Sequence, residues 1–79
     1  MEFTQYFLHT RSRPDRASIK MNWIDSVVEN PAQEELQTDG RIKKWGYIQE
    51  EGKYLRVILL SDGKTIHNAF FDRRFKEKK

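Results

Sequence analysis

The sequence predicts an α+β fold, in which N-terminal helical segments pack on one face of a three- to four-stranded antiparallel meander sheet. Apolar residues recur every three or four positions between residues 19 and 28, whereas from residue 34 onward they alternate with polar residues. Asp-Gly pairs at residues 39–40 and 62–63 and a Glu-Gly pair at residues 51–52 separate the alternating segments, as turns separate strands. We expect a single domain over residues 1–79 with a small core and a frayed basic tail at residues 76–79.

Local signals predict the N-terminal elements. Residues 3–8 (FTQYFL) are aromatic and β-prone and fit either a short strand or the start of a helix; we favour the strand. Ser12 is placed to cap, and Pro14 to begin, one short helical turn around residues 14–18. Residues 19–31 predict a helix of about ten residues that ends at Asn30, because the residue before a proline is pushed out of the α region. Its apolar stripe comprises Met21, Ile24, Val27 and Val28, with Ile19 and Trp23 beside them.

The second half of the sequence predicts a short edge strand at residues 34–37 and strands within residues 41–50, 53–61 and 65–75. Two-residue turns at the last two glycine pairs set the register, so that Arg56 faces Ala69. One face is then mainly aliphatic and packs on the helices; it carries Ile42, Lys44, Gly46, Ile48, Leu55, Val57, Leu59, Ile66 and Phe70. The other face is aromatic and cationic; it carries Lys43, Trp45, Tyr47, Tyr54, Arg56, His67, Phe71 and Arg73.

Positive charge is concentrated in the second half of the chain. Residues 1–40 hold four Lys and Arg against seven Asp and Glu, whereas residues 41–79 hold eleven against five. Together with the aromatic and cationic face, this charge favours a single-stranded nucleic-acid platform, in which rings stack on bases and cations attract phosphates. The alternative for the charge is a Lys-rich solvated surface. The alternative for the face is that Trp45, Ile58 and Phe71 form a second, minor core under the N-terminal segment, with Arg and His at its rim.

Composition and pattern exclude several classes of protein. The chain has no cysteine, which excludes disulfides and zinc-thiolate sites. Its longest uninterrupted apolar run, residues 57–60, is far shorter than a membrane span, and the N-terminus lacks the character of a signal peptide. We therefore expect a soluble cytoplasmic protein with no membrane partner. The sequence has no catalytic-triad pattern, phosphate-binding glycine loop or acidic metal cluster, and we expect no cofactor and no metal.

Four short motifs connect the sequence with a known group of proteins. They are His9 in the N-terminal segment, Asn30-Pro31 at the end of the helix, Leu55-Arg56-Val57 in a strand, and Arg73 at the end of the last strand. In these motifs the chain resembles, over residues 9–75, the small uncharacterised domains related to the BrnT toxins of the RelE/ParE superfamily. The resemblance implies a compact α+β fold with a curved antiparallel sheet, endoribonuclease action on mRNA, and a cognate antitoxin protein as partner. An exposed aromatic face also leaves dimerisation open.

The resemblance also implies a site, because RelE-type toxins use Arg, Lys, Tyr or His side chains scattered on the sheet. By position, the catalytic candidates are Arg56, Arg73 and His67. Metal-free RNA cleavage needs a base, an acid and cations around one phosphate, so the histidine would be the base or acid and the arginines would hold the phosphate. The RNA-binding candidates are Lys43, Trp45, Tyr47 and Tyr54 on the sheet, with Arg11 and Arg13 on a basic rim that also includes His9 and Arg16.

The sequence leaves several alternatives open. The same fold can serve as a non-catalytic RNA-binding or protein-interaction module, or as a gyrase-directed or inactive relative of the toxins. His67 can equally be a cross-strand residue paired with Asp72 or with water. Asp72 can instead pair with Arg73, Arg74 or an arginine of the N-terminal segment.

Overall fold

The fold combines three short helices with one mixed β-sheet in residues 2–76, which the computed structural model describes. In chain order the elements are β1 (Glu2–Phe3), α1 (Gln5–Thr10), α2 (Pro14–Ala17), α3 (Met21–Glu29), β2 (Gln33–Leu36), β3 (Ile42–Ile48), β4 (Lys53–Leu59) and β5 (Thr65–Phe71). The strands lie in the order β1-β5-β4-β3-β2, with α1 packed on β5 and α3 on β3 and β4. The predicted α+β class is confirmed. The prediction of a purely antiparallel sheet of three or four strands is wrong, because β1 adds a fifth strand that runs parallel to β5.

The first residues divide between a strand and a helix, so the strand predicted over residues 3–8 is wrong beyond Phe3. Thr4 caps α1, since its hydroxyl oxygen accepts a hydrogen bond from the Phe7 N–H at 3.1 Å. The helix buries Phe7 in the core beneath the sheet. Capping and burial together outweigh the β-propensity of the aromatic residues, which depends strongly on context.

The two later helices follow their sequence signals. α2 is the short turn predicted around residues 14–18, but its N-cap is Arg13 and not Ser12, whose hydroxyl donates to the His9 carbonyl. α3 turns its predicted apolar stripe toward the sheet and ends with Asn30 as its C-cap, directly before the proline. The predicted boundaries of both helices are therefore close to the observed ones.

α3 lies close against β3 because position 46 is a glycine. A Cβ atom built on Gly46 would stand 2.8 Å from Cγ2 of Val27, inside van der Waals contact. Nearby, the Lys44 ammonium group donates to the Val28 carbonyl at 2.9 Å and so satisfies a backbone acceptor at the end of the helix. The buried core comprises Phe7, Ile19, Trp23, Ile24, Val27, Ile48, Leu55, Val57, Leu59, Ile66 and Ala69.

The faces of β3 and β4 are as predicted, although their register differs. Ile48 pairs with Lys53, so four residues (49–52) form the turn where two were predicted. Gly52 has a φ of +63°, in the left-handed region that favours glycine. Because the register differs by two positions, an even number, every side chain keeps its predicted face.

A β-bulge at His67 sets the register of β4 against β5. Leu59 pairs with Ile66, but the preceding Ile58 pairs with Asn68, so β5 carries one extra residue between the two pairs. A bulge of this kind leaves the extra residue unpaired and bends the strand. Neither the sequence of β5 nor the turn before it signals the insertion.

Beyond the bulge, the residues of β5 are displaced by one position from their predicted partners. Arg56 faces Phe70 rather than Ala69, and Phe71 packs against the core opposite Leu55. A shift of one position moves each side chain to the opposite face of the sheet. The predicted faces of Phe70 and Phe71 are wrong for this reason.

Asp62 stabilises the turn between β4 and β5. Its carboxylate accepts hydrogen bonds from the backbone N–H groups of Lys64 and Thr65, both at 2.9 Å, and from the Thr65 hydroxyl at 2.6 Å. These bonds, the one from the Thr65 hydroxyl first, lower the pKa of Asp62 to about 2. The Leu60 N–H donates to the Thr65 carbonyl at 2.9 Å, so the predicted pairing of these two residues is confirmed.

The predicted basic tail at residues 76–79 falls mostly outside the described residues, because the description ends at Lys76, which is exposed. None of the helices within residues 2–76 has the length and apolar character needed to cross a bilayer. Within the same residues, no group of three or more His, Asp or Glu side chains is arranged to hold a metal ion.

Candidate functional site

A row of alternating aromatic and guanidinium groups crosses the outer face of the sheet, which is the face opposite the helices. Trp45 on β3, Arg56 on β4 and Phe70 on β5 are direct cross-strand neighbours. The Arg56 guanidinium carbon lies 5.4 Å from the centre of the Trp45 ring and 5.0 Å from the centre of the Phe70 ring. Arg16 extends the row, with its guanidinium carbon 5.1 Å from the Phe70 ring centre. We call these four residues the transverse row.

Arg16 reaches the row from α2. Its Nη1 donates to the side-chain oxygen of Asn68 at 2.7 Å, and its side chain is only 17% exposed. The same Asn68 oxygen accepts a hydrogen bond from the Ala69 N–H at 3.0 Å. Because the bulge turns Asn68 and Phe70 toward the outer face, it creates both contacts of Arg16 with β5.

Residues 72–76, which we call the C-terminal segment, cover one end of the transverse row. The Asp72 carboxylate accepts hydrogen bonds from Arg56 Nη2 at 2.5 Å and from Trp45 Nε1 at 3.1 Å. The Phe75 ring stacks on Trp45 with ring centres 4.7 Å apart, and meets Tyr54 edge-on at 4.9 Å. As a result, Trp45 is only 4% exposed.

The alternative of a second, minor core correctly predicts that Trp45 is buried, but it is wrong about which residues cover Trp45. The covering residues come from the C-terminal segment, not from the N-terminal segment. Phe71, a predicted member, lies on the helix side of the sheet instead. The predicted platform on the outer face is closed at Trp45, whereas Tyr47, on the same strand, is 53% exposed.

Asp72 is held as an anion among these contacts. Burial raises the pKa of its carboxyl group, but hydrogen bonds from Trp45, Arg56 and the Arg74 N–H, with the positive charge of Arg56, outweigh burial and lower the pKa below its ordinary value of 3.8. The hydrogen-bonding capacity of the Arg56–Asp72 pair is not fully used, because Nε of Arg56 is buried without a hydrogen-bond partner in the described part of the chain.

Two clefts border the transverse row. One, of about 330 Å³, lies at the edge of β5 and is lined by Asp15, Arg16, Ser18, Glu51, Lys53, Phe70, Phe71 and Arg73. β1 pairs only with the first two residues of β5, which leaves this edge open. The other cleft, of about 300 Å³, lies beside the C-terminal segment and is lined by Gln33, Glu35, Trp45, Arg56, Asp72, Arg74, Phe75 and Lys76. Each cleft reaches one end of the row.

The three predicted catalytic residues have separate surroundings. Arg56 contacts Asp72, and Arg73 is exposed beside the cleft at the edge of β5. His67 has its Nδ1 hydrogen-bonded to the Thr4 hydroxyl at 3.1 Å. The histidine thus does not pair with Asp72, which was one of the alternatives left open.

The environment of His67 favours its neutral form. Its ring stacks on Tyr6, with ring centres 4.9 Å apart. Burial lowers the pKa of His67 from its ordinary value of 6.5, and the positive charge of Arg41 lowers it further, partly opposed by the Asp39 carboxylate. The lowered pKa favours the uncharged imidazole, which is the form that a general base must have.

The predicted RNA-binding residues divide between the sheet and the rim. Lys43, partly exposed, pairs across the strands with Ile58, and Tyr47 meets Tyr54 edge-on at 5.2 Å. Arg11 donates to the Ile19 carbonyl at 3.1 Å and so holds the loop before α3. Arg13 is exposed at the start of α2.

Sequence reasoning missed several residues of this site. Phe70 and Lys53 were not candidates, because the bulge that turns Phe70 outward has no sequence signal. Phe75 was assigned to the end of the last strand and Asp72 to a surface pair, although the actual partner of Asp72 is Arg56. The lone phenylalanine within the polar stretch RRFKEKK is no signal of packing, because single apolar side chains are common on protein surfaces.

The fold and the row define a small α+β protein with a cationic and aromatic sheet face. No protein-family model, curated protein or solved structure matches the chain. The resemblance to the BrnT-related domains rests on the sequence motifs and stays a prediction.

Proposed function

We propose that this protein is a non-catalytic module that binds single-stranded RNA along the transverse row. The observation that carries the proposal is the alternation of rings and guanidinium groups across three strands and α2. Single-stranded nucleic acid is bound by a combination of two elements, aromatic rings that stack on bases and cations that follow the backbone. The row supplies both elements along one line.

The open cleft at the edge of β5 supports phosphate binding beside the row. Arg16, Lys53 and Arg73 line it, against two carboxylates from Asp15 and Glu51. Arg16 already lies over the Phe70 ring, so a phosphate on the arginine would bring the neighbouring base near that ring. Arginine and an aromatic ring side by side suit an unpaired base better than a duplex, whose bases are stacked on each other.

Binding without cleavage is favoured because the predicted catalytic groups have different partners. His67 contacts Thr4 and Tyr6, whereas Arg56 contacts Asp72. Metal-free cleavage requires a base and an acid placed on opposite sides of one phosphate, with cations around it. The arginines and rings of the row meet the requirements of binding alone.

The test is the affinity for a fluorescein-labelled, uridine-rich RNA of about 12 nucleotides, measured by anisotropy over a range of salt concentrations. Arg16→Gln removes the row's cation at the β5 edge, and Lys64→Gln removes one exposed charge in the β4–β5 turn as a matched control. We expect Arg16→Gln to weaken binding and to reduce the salt slope by about 0.7, the value for one phosphate contact of a single strand. Equal effects of the two variants, or no binding at low salt, would contradict the proposal.

A second candidate function is metal-independent endoribonuclease action on mRNA, and the environment of His67 favours it. A neutral imidazole can take the proton of a ribose 2′-hydroxyl, which attacks the phosphorus while the 5′-oxygen leaves and takes up a proton. The expected products are a 2′,3′-cyclic phosphate and a 5′-hydroxyl. In this case a cognate antitoxin protein is the expected partner.

The nuclease candidate is tested by incubating purified protein with an mRNA and mapping the new ends. His67→Ala should abolish cleavage, whereas His9→Ala, which alters an exposed histidine on α1, should not. Cleavage that survives both changes, or intact RNA in every sample, would exclude His67 as the base.

A further inference from the structure

The C-terminal segment fills one end of the transverse row with groups that resemble parts of a nucleotide. The Asp72 carboxylate is an anion on Arg56, where a phosphate would be, and the Phe75 ring lies on Trp45, where a base would stack. The inter-ring angle of 11° is that of a stacked pair. We infer that the C-terminal segment occludes a nucleotide site formed by Trp45 and Arg56, and that single-stranded RNA displaces it. This inference rests on the proposed function.

The fit of the segment to the site is incomplete. Asp72 engages Nη2 of Arg56, while Nε of the same guanidinium is buried without a partner in the described residues. Nε and Nη2 form one edge of the planar guanidinium, which is suited to two parallel hydrogen bonds with a phosphate or carboxylate. A phosphate at this edge would satisfy the buried Nε–H, which the segment leaves unsatisfied.

The segment is attached mainly through side chains. The Asp72 N–H donates to the Tyr54 carbonyl at 2.9 Å, and within residues 2–76 this is the last backbone bond to the sheet. Beyond it, within the described residues, the Arg74 N–H donates to the Asp72 carboxylate at 3.1 Å. Release of Asp72 and Phe75 would therefore uncover Trp45 and Arg56 without breaking any pair of the β-ladders.

The position of the two clefts agrees with this arrangement. One cleft includes Arg16 and Phe70, and the other includes Trp45 and Arg56 beside Phe75. Removal of the Phe75 ring would extend the second cleft over the indole, so that the two clefts would lie at the two ends of one continuous row. A strand of RNA that begins at Arg16 would then continue to Trp45.

The experiment compares RNA affinity of the full chain with that of Phe75→Ala, using the same labelled RNA. Because the segment and the RNA compete, loss of one stacked ring should tighten binding by about three- to tenfold. Leu36→Ala, which removes a side chain that is 72% exposed on β2, is the control and should leave the affinity unchanged. Circular dichroism checks that each variant is folded.

The outcomes separate this inference from the proposed function. If the unaltered chain binds RNA and Phe75→Ala binds it with equal or lower affinity, the inference is overturned and the proposed function stands. Binding by neither protein would overturn both. Binding by Phe75→Ala that is tighter than binding by the unaltered chain would support the inference.

A second measurement keeps the inference testable if Phe75→Ala does not fold. The variant Trp23→Phe leaves Trp45 as the one indole of the chain. If a base replaces Phe75 on Trp45, addition of RNA should quench the indole emission as the anisotropy rises. Bound RNA with unchanged emission would overturn the inference.

Discussion

Gly46→Ala tests how tightly α3 packs on the sheet. The added Cβ would stand 2.8 Å from Cγ2 and 3.4 Å from Cβ of Val27, with the Val27 Cα at 3.5 Å. The Cβ and Cα distances are ordinary van der Waals contacts, so the crowding is with Cγ2. Relieving it requires Val27 to leave the one χ1 rotamer that a helix strongly prefers for valine, or the helix to shift. Gly46 is not among the glycines with positive φ, so its backbone conformation suits alanine and the cost is steric. We expect the free energy of unfolding to fall by about 1–3 kcal/mol, the usual cost of overpacking.

The assay is urea unfolding followed by circular dichroism, with a double-mutant cycle. Val27→Ala alone should destabilise the protein, because it leaves a cavity in the core. In the Gly46→Ala background the same change removes the crowded Cγ2 atom, so the double variant should be more stable than the sum of the two single effects. A Gly46→Ala variant within about 0.5 kcal/mol of the unaltered chain, or strict additivity, would refute the argument.

Three further predictions concern charge. Arg56→Met should lower the free energy of unfolding by about 1.5–3 kcal/mol at neutral pH, because it leaves the Asp72 carboxylate buried without its cation. Urea unfolding measures this loss of stability, which should shrink when Asp72→Asn is added. In an NMR titration Asp62 should show its lowered pKa of about 2, so its contribution to stability is present above about pH 4 and is lost as the pH falls toward 2. A titration midpoint at 3.8 would contradict this prediction. His67 should titrate below 6.5 in an NMR titration, so its stabilising contribution is present above that pH and is lost as the pH falls through the folded pKa. Arg41→Gln should raise the pKa of His67, and an unchanged pKa would rule out the Arg41 charge as a cause.

Local signals were enough to predict the helices after residue 13. The stripe of α3 and the proline after Asn30 set the face and the end of that helix, since both act within a few residues. The alternation along β3 and β4 likewise predicted their faces, even though the turn at residues 49–52 is longer than expected. An even register error leaves such a prediction intact.

The bulge at His67 could not be predicted, because neither the sequence of β5 nor the turn before it signals an extra residue. Its effect reaches the site: it exchanges Phe70 for Ala69 opposite Arg56 and so creates the transverse row. The parallel pairing of β1 with β5 was also missed, because it joins two residues near the start of the sequence to a strand near its end.

The candidate site was predicted only in part. Trp45 and Arg56 lie together on the outer face, as the alternation predicts. The sequence gives no indication that Asp72 and Phe75 return to cover them, because a charged stretch with one aromatic residue resembles a solvated end. The partner of Asp72 is set by tertiary contact rather than by spacing.

A ¹H–¹⁵N NMR titration can locate single-stranded RNA on the transverse row. Both indole N–H groups donate to carboxylates, Trp45 to Asp72 at 3.1 Å and Trp23 to Glu50 at 2.7 Å, so the second serves as an internal control on the helix side of the sheet. We predict that RNA shifts the Trp45 indole signal together with the Nε–H signal of Arg56, while the Trp23 indole signal stays in place. Shifts confined to Trp23, or no shift at Trp45 with the RNA bound, would contradict the account.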